Sequence, residues 1–374
     1  MKNNLLFLLV FAISACGSNT EEIPFGNEIL TPIEIKEFKG NPRNIILIIG
    51  DGTGLNQISL SRMAIVGESS KLYIDQLPFS GISLTHSADS IITDSAAAAT
   101  SWATGHKTNN RYVSVSPQKK SLPTLPEMLY KKGFLSGIVA TSSITHATPA
   151  AFYSHVDYRY KEKEIASQLQ SSDISIALGG GTDFFNTSIH KDNIDYIFDV
   201  TDLNKIEPPY AKKILGLFDS DGINRSPENP TQLLMTKTAL HILSKKTSKC
   251  SGFFLMSEGS QIDWASHDND AKKMIEEFRD FDLTIGAAIN FVNSRDDTLL
   301  IITSDHETGG LQILKQAEGN IIIQWGTGSH TGIPVGVFSY GPGAGIFTGT
   351  MDNTDIHYKI LDALNYSDIP DSSC

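Results

Sequence analysis

The chain has 374 residues, which is enough for one large α/β domain or two smaller ones. Its formal net charge is −12, and the sequence contains no long run of basic residues. Nucleic acids and anionic membrane surfaces are bound through clustered lysines and arginines, so neither is expected as the main partner.

The first residues have the pattern of an export signal. The segment MKNNLLFLLVFAISACGSN has one early lysine, an apolar stretch from Leu5 to Ile13, and then small residues and Cys16. This stretch is too short to span a bilayer, so residues 1–15 are predicted to be a signal peptide. ISAC is similar to a bacterial lipobox, whose cysteine becomes lipidated, although a plain signal peptide containing a cysteine remains the alternative.

The expected localisation is therefore the periplasm or cell envelope, with membrane contact only through a lipid on Cys16. Residues 16–40 are polar with scattered prolines and are predicted to be a tether. The catalytic domain is predicted to span residues 41–374. Cys250 and Cys374 could pair in an oxidising compartment, but their spacing does not show it.

The rest of the chain alternates between short apolar runs and helical patterns. Continuous apolar runs are typical of strands buried on both faces of a parallel sheet, and residues 121–133 and 229–246 have helical patterns between such runs. We therefore predict a doubly wound α/β fold with a mostly parallel central sheet flanked by helices. The runs are NIILIIGDG, GFLSGIVATSS, ISIALGGG, GFFLMSEGS, DTLLIITSDHE and IPVGVFSYG.

The stretch TDSAAAATSWATG, from Thr93 to Gly105, predicts a turn followed by a helix that begins near Ser95. One interpretation is an ordinary helix cap, because Asp and Ser are favoured there. The other is a serine nucleophile whose attached phosphate would face free backbone N–H groups at the helix N-terminus.

Polar residues follow several of the apolar runs, where open α/β sheets bind ligands. They are Asp51, Glu258, Asp305 and His306. Asp263 and His267 are spaced i,i+4 on a predicted helix, which favours either a surface contact or a pair of metal ligands. His330 lies in a Gly-rich loop. A mixture of imidazole and carboxylate fits zinc, whereas carboxylate and hydroxyl oxygens fit magnesium, so more than one metal is predicted.

Six motifs follow one another from about Asn44 onwards: IGDGTG, TDSAAAAT, THATPAAFYSHVDYR, SEGSQIDWASH, TSDHETGG and GSHTG. In this order they resemble the motifs of the alkaline phosphatase family. The resemblance implies that phosphate monoesters are hydrolysed to an alcohol and inorganic phosphate through a phosphoserine on Ser95. It also implies a homodimer.

The resemblance further implies the ligands of three metals. A first zinc would be bound by Asp263, His267 and His330, and a second by Asp51, Asp305, His306 and Ser95. Asp51, Glu258 and Thr148 would bind a third metal, usually magnesium. Arg159 would bind the phosphate, and Asp94 would orient it.

Two positions depart from the best-known bacterial pattern. His146 stands where those enzymes have Asp, and a histidine at this position is the pattern of the animal enzymes. An imidazole here favours zinc or cobalt over magnesium at the third site. Trp264 stands where the best-known bacterial enzymes have Lys. The change either removes a cation that would act on the phosphate, or Trp264 is an ordinary packing residue. Only 24 residues separate His306 from His330, so a compact member without a large surface insertion is expected.

Three other functions are considered. Phosphodiesterases on the same metal scaffold usually have Thr as the nucleophile, and sulfatases have a modified Cys or Ser before Pro-x-Arg. Ser95 has no such Pro-x-Arg after it. A lipoprotein that binds zinc or phosphate without turnover would have no use for a serine beside an open metal position.

Overall fold

The computed structural model describes residues 20–186, 192–206 and 212–374. The predicted signal peptide, residues 1–15, and the predicted lipidation site, Cys16, lie outside the described residues. No helix in the described ranges has the length and apolar character needed to cross a membrane.

The strands in the described residues form one large sheet and two small ones. In chain order the strands are β1 (Thr20–Pro24), β2 (Asn44–Gly50), β3 (Phe79–Leu84), β4 (Phe134–Ser143), β5 (Ile174–Gly180), β6 (Ile194–Ile197), β7 (Lys213–Leu217), β8 (Gly252–Gly259), β9 (Thr298–Thr303), β10 (Glu307–Thr308), β11 (Gln312–Ala317), β12 (Asn320–Gln324), β13 (His330–Thr331), β14 (Val335–Tyr340) and β15 (Gly349–Asp352). The large sheet has the order β15-β3-β14-β9-β2-β8-β4-β5-β7-β6. It is parallel except that β14 runs antiparallel to β3 and β9.

Helices cover both faces of the large sheet. They are α1 (Leu55–Ile65), α2 (Ser95–Thr104), α3 (Leu125–Tyr130), α4 (Ala147–Ala150), α5 (Glu162–Ser171), α6 (Val200–Leu203), α7 (Gln232–Lys246), α8 (Gln261–His267), α9 (Ala271–Asn293) and α10 (Asn353–Ala363). Alternate side chains of β2 enter different cores: Ile46 packs in the core that contains Phe281 of α9, and Leu47 in the core that contains Trp102 of α2. Because β2 is buried on both faces, its sequence is continuously apolar and does not alternate with polar residues. The predicted doubly wound α/β fold is confirmed.

The segment predicted as a tether packs on the domain from residue 20 onwards. Strand β1 pairs antiparallel with β12, and the side chain of Ile23 is buried. Farther along, Glu28 forms an ion pair with Arg279 at 2.7 Å. Residues 20–24 of the predicted tether thus form a strand, because the free edge of the β11–β12 hairpin accepts a third strand.

That hairpin accounts for most of the chain between His306 and His330. Strands β11 and β12 pair antiparallel and are joined by a tight turn. No larger insertion occurs in this segment, all of which the structure describes, so the expectation of a compact member is confirmed.

A disulfide joins Cys250, just before β8, to the C-terminal Cys374. The residues before Cys374 run along the end of α3, where the backbone N–H of Ser372 donates to the carbonyl of Lys131 at 3.1 Å. The disulfide, which the sequence alone left open, therefore links the C-terminus to the central sheet.

Candidate metal and catalytic site

Four neighbouring strands, β9, β2, β8 and β4, end at one edge of the large sheet and carry the candidate ligands. Asp51 follows β2, and Glu258 lies near the end of β8. Asp305 and His146 come two and three residues after β9 and β4. Because parallel strands end side by side, residues distant in sequence meet here.

The side chains at this edge form three groups that could each hold a metal ion. Within each group one ligand atom per residue lies within 4.8 Å of the others. Asp51 belongs to two groups and so connects them. The groups are Asp263, His267 and His330; Asp51, Asp305 and His306; and Asp51, His146 and Glu258.

Ser95 is the first residue of α2 and is almost fully buried. The cap of this helix is Asp94, whose carboxylate accepts a hydrogen bond from the N–H of Ala97 at 3.0 Å. The Ser95 hydroxyl is therefore not needed for capping. Its Oγ lies 3.4 Å from Nε2 of His306, beside the second group.

Arg159 points from the α4–α5 connection towards Ser95 and the third group. One terminal nitrogen donates to Asp94 at 3.0 Å, and the other lies 3.0 Å from Nε2 of His146. The backbone of Arg111 contacts both Asp94 and Arg159. Its N–H donates to Asp94, and its carbonyl accepts from the N–H of Arg159.

The three histidines of the first two groups have their Nδ1 atoms engaged by other protein atoms, which leaves Nε2 as the ligand atom. The distances are 2.8 Å from His267 to the carbonyl of Gly328, 3.0 Å from His330 to the carbonyl of Thr93, and 3.2 Å from His306 to the hydroxyl of Thr308. Pairing of β10 with β13 brings His330 opposite Thr308. This short ladder is what places a residue of the Gly-rich loop beside His306.

Thr308 was not identified from the sequence. Its hydroxyl donates to Oδ1 of Asp263 while facing Nδ1 of His306, so it connects a ligand of the first group with one of the second. The sequence feature that could have pointed to Thr308 is its position two residues after His306 in TSDHETGG. A lone threonine in a motif gives no indication of which side chain it will contact.

Several buried oxygens at the site accept no hydrogen bond from any described residue. They are both carboxylate oxygens of Asp51, Oε1 of Glu258, and the hydroxyl oxygen of Thr148. Charged carboxylates buried without such partners are costly and favour binding of a cation. The four carboxylates of the site, those of Asp51, Glu258, Asp263 and Asp305, are all less than 5% exposed. The donor set of carboxylate, imidazole and hydroxyl groups fits divalent metals.

The electrostatics of the carboxylates agree with this fit. Burial and the neighbouring Asp305, Asp263 and Glu258 carboxylates raise the pKa of Asp51 well above its usual value. Burial raises the pKa of Glu258 to about 7, although a hydrogen bond from Ser260 opposes the rise. A bound cation would stabilise the charged carboxylates and so lower both pKa values.

The histidines differ among themselves. The hydrogen bond to Asp263 raises the pKa of His267 to about 9, whereas burial and His306 lower that of His330 to about 4. Their Nε2 atoms are 3.0 Å apart and share a hydrogen bond, and both belong to the group that could hold one cation. Burial and the charge of Arg159 lower the pKa of His146 to about 3 and keep this ring neutral.

Trp264 packs beside the third group. Its ring meets that of His146 edge to face, with centroids 5.8 Å apart. It also covers Gly222, where an added Cβ would come within 2.4 Å of the indole. Trp264 is thus a packing residue that confines the His146 ring.

Comparison with known proteins supports a single family. The sequence profile described as "Alkaline phosphatase" matches residues 42–322. The chain is 31% identical to alkaline phosphatase 3 of Bacillus subtilis, covering 88% of this chain and 91% of that protein. The structure of alkaline phosphatase from the Antarctic bacterium TAB5 superposes with a TM-score of 0.80 and 36% identity, covering 87% of this chain and 99% of that one. A histidine-to-aspartate mutant of the TAB5 enzyme, with Mg bound in its M3 site, has a TM-score of 0.77 and 34% identity, with 88% and 99% covered.

Proposed function

The chain belongs to the alkaline phosphatase family and hydrolyses phosphate monoesters with divalent metals, and we propose that it does so through a phosphoserine intermediate on Ser95. The observation that carries this proposal is the position of Ser95. Its buried hydroxyl lies at the N-terminus of α2, 3.4 Å from a histidine of the second ligand group.

We assign the first two groups to two zinc ions. Asp263, His267 and His330 would hold the first, and Asp51, Asp305 and His306 the second, with Ser95 beside it. When bound, the zinc ions supply the positive charge that lowers the pKa of the serine hydroxyl and of a water molecule and neutralises the transferring phosphoryl group.

Arg159 and the helix N-terminus bind the phosphate in this mechanism. The guanidinium can donate two parallel hydrogen bonds to nonbridging phosphate oxygens, and Asp94 keeps it in place. The positive N-terminal end of the α2 dipole would favour the same anion. Phosphoryl transfer depends mainly on such positioning and charge neutralisation.

The reaction then has two displacements. In the first, Oγ of Ser95 forms a bond to phosphorus, the bond to the ester oxygen breaks, and the alcohol leaves with the proton that the serine gave up. In the second, water attacks phosphorus, the serine–phosphorus bond breaks, Ser95 regains a proton, and inorganic phosphate leaves. Because the two displacements are in line, the leaving alcohol and the attacking water occupy the side opposite Ser95.

The third group fits a supporting metal. Asp51, Glu258 and Thr148 offer oxygens that suit magnesium, whereas His146 offers a neutral imidazole that suits zinc or cobalt. We infer that magnesium binds here weakly and that zinc or cobalt can replace it. A mutant of the TAB5 enzyme that carries an aspartate in place of a histidine has Mg bound in its M3 site, which supports this inference.

A trapping experiment tests the phosphoserine. The zinc-loaded protein is mixed with a radiolabelled phosphate monoester, quenched in acid, digested and mapped by mass spectrometry. The label should be found on Ser95 and be absent from Ser95→Ala, whose turnover should fall by several orders of magnitude while the zinc content is retained. Ser101, a buried serine of the same helix, provides the control variant Ser101→Ala, which should still be labelled. Label on another residue, or near-full activity of Ser95→Ala, would falsify the assignment.

We further propose that the mature enzyme is lipid-anchored through Cys16 in the cell envelope or periplasm and acts as a homodimer. The lipobox-like ISAC supports the anchor, and family resemblance supports the dimer. Replacing Cys16 with Ser should move activity from the membrane fraction to the soluble fraction, and sedimentation of the released enzyme gives its oligomeric state. A wild-type enzyme found wholly in the soluble fraction without lipid would exclude the anchor.

A further inference from the structure

Two exposed tyrosines flank Arg159 in the sequence and in space. The side chains of Tyr158 and Tyr160 are 41% and 61% exposed. Their rings meet edge to face, with centroids 5.2 Å apart and an interplanar angle of 71°. Two aromatic rings that contact each other and are exposed to solvent offer an apolar surface on which a flat group can stack.

This aromatic pair is joined to the phosphate-binding residue. The central carbon of the Arg159 guanidinium lies 5.7 Å from the centroid of the Tyr160 ring. The two terminal nitrogens of the same group reach Asp94 and His146. The guanidinium therefore has Asp94 and His146 at its two terminal nitrogens, while the exposed ring of Tyr160 lies beside its central carbon.

This arrangement bears on the part of the substrate that leaves. An ester whose phosphate contacts Arg159 and faces the buried Ser95 must extend its alcohol towards solvent, because in-line displacement places the leaving group opposite the nucleophile. The rings of Tyr158 and Tyr160 are solvent-exposed neighbours of Arg159. A flat leaving group can stack on such a ring, whereas an aliphatic alcohol gains little from it.

We propose that Tyr158 and Tyr160 form an aromatic platform that selects phosphate monoesters with a planar ring in the leaving group, nucleoside monophosphates in particular. The platform raises kcat/KM for such substrates through stacking of the base. This inference rests on the proposed function, specifically on binding of the phosphate by Arg159.

The test compares two substrates with the same ester bond. Adenosine 5′-monophosphate and ribose 5-phosphate both release a ribose 5′-hydroxyl, so they differ in the base and not in the chemistry of the leaving oxygen. Stacking of one base is worth roughly fivefold or more in binding, so the wild type should favour the nucleotide by at least that ratio of kcat/KM. In the Tyr158→Ala/Tyr160→Ala double variant the ratio should fall towards one, and in the Tyr158→Phe/Tyr160→Phe variant it should be retained.

Other results would overturn the proposal. A ratio near one in the wild type, or an unchanged ratio in the alanine variant, means that the rings do not contact the base. An equal loss for both substrates means that Tyr160 only supports Arg159. A failure of the proposed function is recognised separately, because inhibition by inorganic phosphate would then not respond to Arg159→Ala, whatever the nucleotide preference.

Discussion

A terminal nitrogen of Arg159 lies 3.0 Å from Nε2 of His146, so the proposed phosphate-binding residue directly contacts a member of the third ligand group. Since burial and this arginine hold the pKa of His146 near 3, the ring is neutral and its Nε2 accepts the hydrogen bond. The other terminal nitrogen is bound to Asp94, the cap of α2. A change at Arg159 or at His146 therefore affects phosphate binding and the third group together.

Replacing Arg159 with Ala should weaken phosphate binding and leave the zinc in place. Hydrogen bonds to charged groups are worth about 1.5–3 kcal/mol, so the inhibition constant for inorganic phosphate should rise roughly tenfold to a hundredfold. Competitive inhibition assays, with the zinc content measured in the same samples, check this.

The matched control for Arg159→Ala is Asp94→Asn. An asparagine at this position retains an oxygen that can accept from Ala97 and cap α2, but it removes the charge that holds Arg159. This variant should raise the inhibition constant by less than Arg159→Ala does. If phosphate inhibition is the same in Arg159→Ala as in the wild type, Arg159 does not bind the phosphate.

Removing the hydroxyl of Thr308 should lower zinc affinity without touching a proposed ligand. Thr308→Val keeps the size of the side chain but loses the hydrogen bond to Asp263 and the contact with His306. Partners of this kind typically contribute roughly tenfold to a hundredfold to metal affinity. Competition with a chelator measures the change, and Thr308→Ser, which retains the hydroxyl, should remain close to the wild type. Equal zinc affinity in Thr308→Val would mean that this contact does not orient the ligands.

Much of the site follows from local sequence. The apolar run of β2 ends directly before Asp51, and the i,i+4 spacing of Asp263 and His267 puts both on one face of α8. These relations depend on a few neighbouring residues and on the general geometry of strands and helices, so a single sequence contains them.

Other features depend on partners far away in the chain. Strand β1 could not be predicted, because its partner β12 lies about 300 residues later and nothing near Ile23 indicates it. The hydrogen bond from Arg159 to Asp94 depends in the same way on a partner 65 residues earlier in the chain. A pattern of residue types gives periodicity, but it does not give the distance between distant segments.

The ion pair of His155 with Glu127 predicts a pH-dependent part of the stability. Their side chains lie 3.1 Å apart, with the His155 Nδ1 also facing the carbonyl of Ser114. Burial is the largest single influence and disfavours charge on both groups, but the mutual hydrogen bond, the hydrogen bonds with the backbone and the opposite charge together outweigh it. The pKa of His155 is therefore raised above 6.5 and that of Glu127 is lowered below 4.5.

The signs of these two shifts define the pH range. The contribution of His155 is complete below pH 6.5 and is lost as the pH rises through its higher pKa in the folded protein. The contribution of Glu127 is complete above pH 4.5 and is lost as the pH falls through its lower pKa. A double-mutant cycle of His155→Gln and Glu127→Gln, followed by urea unfolding, should give a larger coupling at pH 6 than at pH 9. Equal coupling at both values would show that the pair is not ionic.

Replacing His146 with Asp should raise the affinity of the third group for magnesium. Magnesium prefers hard oxygen ligands in octahedral geometry, and imidazole suits zinc or cobalt better. The added carboxylate would join those of Asp51 and Glu258, whose pKa values are already raised by burial and by neighbouring negative charge. A further negative charge in this place increases the need for a cation, but it can also form an ion pair with Arg159.

Titrating magnesium into metal-depleted protein that has been reconstituted with zinc separates these effects. Activity of His146→Asp should depend more strongly on added magnesium than that of the wild type and should saturate at a lower concentration, because the site would then discriminate between the metals. His146→Asn has the shape of the aspartate without its charge, so it should not gain magnesium affinity. If the new aspartate formed an ion pair with Arg159 and did not bind magnesium, inhibition by phosphate would weaken, while the magnesium dependence of activity would stay that of the wild type. Identical magnesium curves for wild type and His146→Asp, together with unchanged inhibition by phosphate, would place His146 outside the metal site.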